Sequence, residues 1–293
     1  MRGSIYLPEG KGPLFPFHQP MSVLESAKER KTVLQGTAIR CDSKRNLHIT
    51  FGGYEGIIPR QEAVHPGISG ADRDIAILSR VGQHISFTIT DIAINGDGKP
   101  KLILSRRAAQ QQALEWLMKN VHIGTVLPAR VTHLANFGAF VDLGCGVISL
   151  IPLENLSVSR ISHPSDRLRV GQDILVVVTG VEKEYERFYL SHKELLGTWL
   201  ENAAAFSPGD TVTGIIRDIR EYGAFIELTP NLSGLADLKA WMEPGHQVSV
   251  YIKSIRSDGH KIKLQAIQDL GDAPPPSPPR YFITDGTVEN WVY

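Results

Sequence analysis

An aromatic motif that occurs twice is the strongest sign of surface chemistry in this chain. Residues 136–143 read Asn-Phe-Gly-Ala-Phe-Val-Asp-Leu, and residues 221–228 read Glu-Tyr-Gly-Ala-Phe-Ile-Glu-Leu. Successive side chains of a strand point to opposite faces, so Phe140 and Phe225 each share a face with a carboxylate. A single aromatic residue in a strand usually belongs to a core. Because of the duplication and the acidic neighbours, we instead expect Phe140 and Phe225 to be exposed on a surface that stacks planar groups.

Basic residues alternate with apolar ones in two later segments. Arg187 and Tyr189 point away from the apolar residues beside them, and Lys261 and Lys263 repeat this arrangement farther along the chain. Aromatic rings stack on unpaired bases, while Arg and Lys follow a phosphate backbone. The aromatic and basic patterns together therefore favour a surface for single-stranded nucleic acid.

A basic loop at residues 157–169 adds a further candidate. It contains Arg160, Arg167, Arg169 and His163. Since a guanidinium donates two parallel hydrogen bonds to phosphate, this loop suits a phosphate clamp. A solvated surface loop without a ligand explains the same composition equally well.

Composition restricts the functional classes. The chain has 293 residues, 42% of them hydrophobic and 21% charged, with a net charge of zero. Zero net charge argues against tight binding to nucleic acid through bulk charge alone. Cys41 and Cys145 lack metal-ligand spacing, and no phosphate loop or catalytic motif is found. We therefore expect a cytoplasmic binding protein that is not an enzyme and has no metal, cofactor, small-molecule substrate or membrane span.

Three repeats account for most of the chain. They align on Gly36, Ala129 and Gly214, and each ends in an alternating strand, at residues 101–105, 187–191 and 261–265. Units of about 60–80 residues built from short β-branched strands predict an all-β chain of three tandem closed barrels.

The segments between and beyond the repeats differ in composition. Residues 108–119 are rich in helix formers, and Trp116 and Trp199 suit packing between domains. A proline-rich run in the tail predicts an extended spacer, whose later aromatic residues can dock on a barrel. The expected units are an N-terminal extension (1–30), a barrel (31–107), a linker helix (108–120), a barrel (121–193), a helical linker (194–206), a barrel (207–268) and the tail (269–293).

The repeats resemble a known family. The Phe-Gly-Ala-Phe-Val-Asp segment, the later Gly-Leu or Leu-Ile turn and the closing Arg/Lys strand are similar to the S1 RNA-binding domain, a module repeated in ribosomal protein S1 and attached to several ribonucleases. The resemblance covers about residues 31–268, and it is strong for 122–193 and 207–266 and degenerate for 31–107. The whole arrangement is similar to short S1-type ribosomal proteins of Clostridia-like bacteria. It implies that each barrel is a five-stranded OB fold.

The resemblance also implies an RNA-binding face. By position, its aromatic residues are Phe137, Phe140, Tyr222 and Phe225, and its basic residues are Lys101, Arg187 and Lys261. The family's acidic position is held by Glu182 in the second repeat and by Arg256 in the third. Its histidine is replaced by Pro59, Pro152 and Asp237, and Asp237 is expected to repel phosphate.

The first repeat differs from the other two. With Gly36 and Ala129 aligned, the positions of Phe137 and Phe140 fall on Lys44 and Leu47, so this barrel lacks both aromatic rings. The resemblance implies binding of single-stranded RNA, such as mRNA, in translation, with residues 31–107 docking on the small ribosomal subunit. The alternatives are a protein-interaction scaffold and an accessory RNA-binding factor of RNA decay or transcription.

Overall fold

The computed structural model describes residues 6–10, 19–66, 74–94 and 100–293. They form three closed five-stranded barrels in tandem, which confirms the predicted all-β fold class. The first barrel comprises β1 (Leu34–Cys41), β2 (Leu47–Phe51), β3 (Tyr54–Ile58), β4 (His84–Ile94) and β5 (Pro100–Ser105). The middle barrel comprises β6 (Val126–Ala135), β7 (Gly138–Asp142), β8 (Ile148–Pro152), β9 (Asp173–Glu182) and β10 (Arg187–Ser191). The third comprises β11 (Thr211–Arg220), β12 (Gly223–Thr229), β13 (Leu232–Ala236), β14 (His246–Arg256) and β15 (Lys261–Asp272).

The three barrels share one strand order. In each, the first three strands form an antiparallel meander, the fifth strand pairs in parallel with the third, and the fourth closes the barrel against the first. Closure leaves no free sheet edge. Alternate residues of every strand point inward, as Leu47 and Ile49 do on β2, and form a separate apolar core in each barrel.

Helices lie outside the barrels. They are α1 (Met21–Glu29), α2 (Ile75–Leu78), α3 (Arg106–Asn120) and α4 (Trp199–Ala203), with 3-10 turns at Arg60–Glu62, Leu153–Asn155, Pro164–Asp166 and Lys193–Leu196. Helix α3 links the first two barrels and begins at Arg106 rather than at residue 108, because the Ser105 hydroxyl caps it by accepting from the Ala108 amide. Within the expected extension 1–30, α1 packs Leu24 into the first barrel's core, whereas residues 1–5 and 11–18 lie outside the described part of the chain.

Two expectations about the third barrel need correction. Trp199 is only 2% exposed and belongs to the core of the third barrel rather than to a contact between domains. Strand β15 continues past residue 268 to Asp272, where it remains paired with His246 of β14. The tail therefore begins at residue 273.

Candidate nucleic-acid interface

Five outward-facing positions, one per strand, form a continuous row around each barrel. The strand register defines them, because each position pairs directly with the next. We call this set the outer row. In the middle barrel it runs through His133, Phe140, Leu150, Tyr189 and Gly180. In the third barrel it runs through Asp218, Phe225, Leu235, Lys263 and Ser254.

The outer row of the middle barrel is aromatic. The rings of His133 and Phe140 lie 6.0 Å apart at 33°, and Phe137 meets Phe140 edge-on at 5.9 Å. Phe137 is 59% exposed and Tyr189 is also exposed, whereas Phe140 is half-buried beneath its neighbours. Exposed rings around an apolar strand face provide the surface on which unstacked bases are held.

A glycine between the two phenylalanines makes this arrangement possible. Gly138 has φ = 159°, and a Cβ there would collide with the carbonyl oxygen of Ile151 on β8. Without a side chain at this position, β7 approaches β8 closely. The two-residue turn before it then projects Phe137 outward beside Phe140.

The third barrel repeats this arrangement with one aromatic pair. Tyr222 is 68% exposed and meets Phe225 edge-on at 6.1 Å. Lys263, which is exposed, occupies the outer-row position that Tyr189 holds in the middle barrel. This surface therefore offers fewer rings and carries one charge of each sign, at Asp218 and Lys263.

The strand register of the first barrel gives equivalent positions that differ from those of the sequence alignment. Its outer row runs through Arg40, His48, Ile57, Ile103 and Asp91. The position of Phe140 is thus held by His48 and not by Leu47, which is buried. The β1–β2 loop is longer than the β6–β7 turn and the β2–β3 turn is shorter than its counterpart, so the two differences cancel over the aligned interval.

The carboxylates that were expected beside Phe140 and Phe225 are buried. Asp142 is 1% exposed and Glu227 is 6% exposed. Asp142 accepts hydrogen bonds from the backbone amides of Glu9, Gly144 and Gly146. Burial, and then the Glu9 carboxylate, raises the pKa of Asp142 to about 7.

Glu227 is buried for a different reason. It forms ion pairs with Arg167 of the middle barrel and with Arg217, whose Nε lies 2.9 Å from the Glu227 carboxylate. The expectation that both carboxylates lie on a solvent-exposed face was wrong, because segments from outside their own barrels cover these strand ends.

The predicted basic residues lie at exposed positions. Arg187 stands at the edge of the middle barrel with its guanidinium 5.7 Å from the ring centre of Tyr185. Lys261 and Lys263 are exposed on β15. The Tyr189 hydroxyl donates to the carboxylate of Glu182 at 3.0 Å, and this hydrogen bond raises the pKa of Tyr189.

The three arginines of the basic loop have different environments. Arg160 has an 81% exposed side chain and lies 4.0 Å from Asp218, in the outer row of the third barrel. Arg167 is buried against Glu227 and donates to Ser157, so it is not a phosphate ligand. The Arg169 guanidinium donates to the Pro276 carbonyl. Of the three, Arg160 alone stands beside an outer row.

Sequence reasoning missed several residues of this surface. His133 stacks beside Phe140, and the signal for it was its outward position on β6. Tyr185, which is exposed under Arg187, lies in a turn where no alternation exists to reveal it. Asp237 lies 3.7 Å from the Lys253 ammonium group, so its charge is compensated locally.

Residues 6–10, 19–66, 74–94 and 100–293 contain no group of histidine, cysteine and acidic side chains arranged to hold a metal. In that described part of the chain, no helix is long and apolar enough to cross a membrane.

The fold and the rows together define a class: a protein of three tandem OB-fold barrels, two of which carry aromatic rings in or beside the outer row. Residues 120–193 match a protein-family model, that of the S1 RNA binding domain. The chain is 31% identical over 192 residues to the small ribosomal subunit protein bS1 homolog of Bacillus subtilis, covering 60% of this chain and 50% of that protein. It is 34% identical over 180 residues to the small ribosomal subunit protein bS1 of Staphylococcus haemolyticus, covering 56% and 46% respectively.

The match to the family model therefore falls on the middle barrel. The chain spans about half the length of the curated relatives it matches. A solved structure of a multidomain protein with nucleic acid binding domains from Streptococcus pneumoniae aligns with 81% of this chain and 74% of its own, at 14% identity and a TM-score of 0.27.

Proposed function

We propose that this protein binds single-stranded RNA, such as mRNA, in translation, as an S1-like component. The observation that carries the proposal is the aromatic outer row of the middle barrel, where Phe137, Phe140, His133 and Tyr189 surround one strand face. The names of the relatives, small ribosomal subunit protein bS1 and its homolog, support a place in translation.

Binding combines stacking with phosphate contacts. Bases stack on Phe137, Phe140 and Tyr189 in the middle barrel and on Tyr222 and Phe225 in the third. Each stacked base contributes about 1–3 kcal/mol. Arg187, Arg160, Lys261 and Lys263 follow the backbone at the margins of the two rows. Because the net charge is zero, stacking carries more of the affinity than charge does.

The first barrel has a different task in this proposal. Its outer row presents two half-buried isoleucines, Ile57 and Ile103, where the middle barrel presents Leu150 and Tyr189. A barrel that retains its core without a stacking surface suits attachment to a protein or to folded RNA. We infer that residues 31–107 dock on the small ribosomal subunit and that the protein is cytoplasmic.

The protein acts by binding rather than by catalysis. A second role, as a protein-interaction scaffold or an accessory factor of RNA decay or transcription, is favoured by one observation: the aliphatic and mixed-charge outer row of the first barrel.

Titration with labelled RNA tests the proposal. The intact chain is titrated with a fluorescent single-stranded RNA and with a duplex of the same sequence, at two salt concentrations. We expect the single strand to bind more tightly and to lose only moderate affinity as salt rises. Equal affinity for the duplex, or no binding to either RNA, would favour the scaffold role.

A further inference from the structure

The C-terminal segment, residues 273–293, contacts both the middle and the third barrels. We call it the strap. It leaves the third barrel at the end of β15, where the Ala273 amide donates to the Gly245 carbonyl at 3.1 Å. Its proline-rich part then crosses to the middle barrel, where the Arg169 guanidinium donates to the Pro276 carbonyl at 3.0 Å.

Two adjacent aromatic residues anchor the strap, Tyr281 on the middle barrel and Phe282 on the linker that follows it. The Tyr281 hydroxyl accepts from the Leu175 amide at 2.9 Å and lies 3.2 Å from Nε2 of His192. Burial raises the pKa of Tyr281 to about 12. Beside it, the Phe282 ring packs on Gly197, where an added Cβ would lie 2.7 Å from a ring carbon. These contacts use both aromatic side chains, in line with the expectation that the later aromatic residues of the tail dock on a barrel.

The strap then pairs with the backbone before β6. Thr287 forms an antiparallel bridge with Thr125. The Val126 amide donates to the Gly286 carbonyl at 3.1 Å, and the Val288 amide donates to the Gly124 carbonyl at 2.8 Å. Backbone pairing fixes the register of the strap along the middle barrel.

The last residues return to the third barrel. The Tyr293 hydroxyl donates to the Asn231 carbonyl at 2.7 Å, and its ring lies 6.0 Å from that of His260 on the β14–β15 turn. Burial raises the pKa of Tyr293 to about 12. The strap is thus fastened to the third barrel at both ends and to the middle barrel between them.

A direct contact between the two barrels lies under the same joint. The Ser159 amide of the middle barrel donates to the Pro230 carbonyl of the third at 3.0 Å, and the buried Arg167–Glu227 ion pair crosses the boundary. Buried ion pairs contribute little net stability but tolerate only one geometry. Such a contact specifies an orientation, and the strap spans the same boundary.

The strap leaves the stacking surface of the middle barrel free. It touches β6 at Val126, whereas the outer row crosses β6 at His133. At about 3.3 Å per residue, the two positions are about 23 Å apart along the strand. The strap does not occupy the positions proposed for bases.

We propose that the strap locks the middle and third barrels into one RNA-binding unit with a fixed distance between their outer rows. This inference rests on the proposed function. Arg160, which extends from the loop after β8 in the middle barrel to Asp218, already links that barrel to the outer row of the third. A strand of RNA that reaches both rows gains from the fixed geometry, because the second binding event becomes intramolecular at a high effective concentration.

Removing the strap from the otherwise complete chain tests this proposal. A chain that ends at Asp272 is compared with the full chain in RNA binding and in tumbling by nuclear magnetic relaxation. For an oligonucleotide of about 20 nucleotides, which reaches two OB folds, we expect about tenfold weaker binding. For one of about 6 nucleotides, which fits a single fold, we expect less than about a twofold change.

Two point variants serve as a matched pair. Phe282→Ala removes a ring that packs on Gly197 in the linker between the middle and third barrels, and Val292→Ala removes an exposed side chain of the same strap. We expect the first to reproduce part of the effect of truncation on the long oligonucleotide and the second to bind like the unmodified chain.

Rotational correlation times test whether the strap locks the barrels, independently of RNA binding. We expect the middle and third barrels to share one correlation time in the full chain and to have separate, shorter ones after truncation, with or without RNA. Unchanged tumbling in the truncated chain overturns the lock, and tighter RNA binding after truncation overturns it in favour of an inhibitory tail. If neither chain binds RNA but truncation separates the barrels, the proposed function fails while the lock remains.

Discussion

The first and middle barrels have the same strand order and different surfaces. At the β1–β2 connection, the first barrel has a five-residue loop in which the Asp42 carboxylate accepts from the amides of Lys44 and Asn46. At the equivalent point, the middle barrel has a two-residue turn that carries Phe137. An OB barrel thus keeps its core while one connection decides whether it presents rings or charges.

The largest expected effect comes from removing rings. Phe140→Ala together with Phe225→Ala weakens single-stranded RNA binding by about 2–5 kcal/mol, if each ring stacks one base. Both side chains are half-buried, so thermal unfolding is measured alongside affinity. Phe137→Ala with Tyr222→Ala, which removes the exposed rings, is expected to lose a similar amount without loss of stability. His48→Ala in the first barrel is the matched control, and an equal loss there would remove the distinction between the barrels.

The pH dependence of the free energy of unfolding distinguishes the residue that follows the closing strand in the middle barrel from its counterpart in the first. After β10 the middle barrel has His192, which is buried, and burial lowers its pKa from 6.5 to about 4. At His192 the unfolded chain therefore binds more protons than the folded chain between pH 6.5 and 4, and the contribution of His192 to the free energy of unfolding falls as the pH drops through this window. At about 1.4 kcal/mol per pKa unit, His192 accounts for about 3 kcal/mol.

The first barrel has Arg106 at the equivalent position, always charged and paired with Glu9 at 2.7 Å. Denaturant unfolding of His192→Gln and of the unmodified chain, at several pH values, measures the difference. We expect the variant to lose less stability between pH 6.5 and 4. Identical pH profiles would mean that His192 is not the group that titrates.

Salt dependence compares the two barrels through their basic residues. Arg187 and Lys101 occupy equivalent positions at the start of β10 and β5. Because one neutralised phosphate of a single strand contributes about 0.7 to the slope of log K against log salt, Arg187→Ala is expected to reduce the slope by about that amount. Lys101→Ala is expected to leave it unchanged, and the reverse result would assign the phosphate contact to the first barrel.

The smallest effect is a gain. His48→Phe places a ring in the first barrel at the position of Phe140. We expect RNA affinity to rise by about 1 kcal/mol or less, because the outer row there still has Ile103 where the middle barrel has Tyr189. Fluorescence anisotropy measures the change. A gain as large as the loss in Phe140→Ala would show that one ring position alone makes a barrel bind.

Features that depend on neighbouring residues could be predicted from the sequence, whereas features that depend on residues far apart in the chain could not. Period-two alternation is local, so the closing strand at Arg187–Ser191 and the inward side chains of β7 could be predicted from sequence. The burial of Asp142 and Glu227 could not, because it depends on the segment at Glu9 and on Arg167, both distant in sequence. His48 was missed since two compensating loop lengths leave the aligned interval unchanged.

The tail shows the same limit. Its prolines predict a chain without helix or sheet, and residues 273–280 have neither. The docking of Tyr281 and Tyr293 depends on groups that other parts of the chain present, the Leu175 amide and the Asn231 carbonyl. No local pattern in the tail encodes those partners.

Photochemical crosslinking tests the central claim most directly, because it locates RNA on the intact, unmodified chain. Single-stranded RNA that contains 4-thiouridine is bound, irradiated and digested, and the crosslinked peptides are identified by mass spectrometry. We predict that crosslinks concentrate at Phe137, Phe140 and Tyr189 in the middle barrel and at Tyr222 and Phe225 in the third. Crosslinks concentrated in residues 31–107 would contradict the division between the barrels.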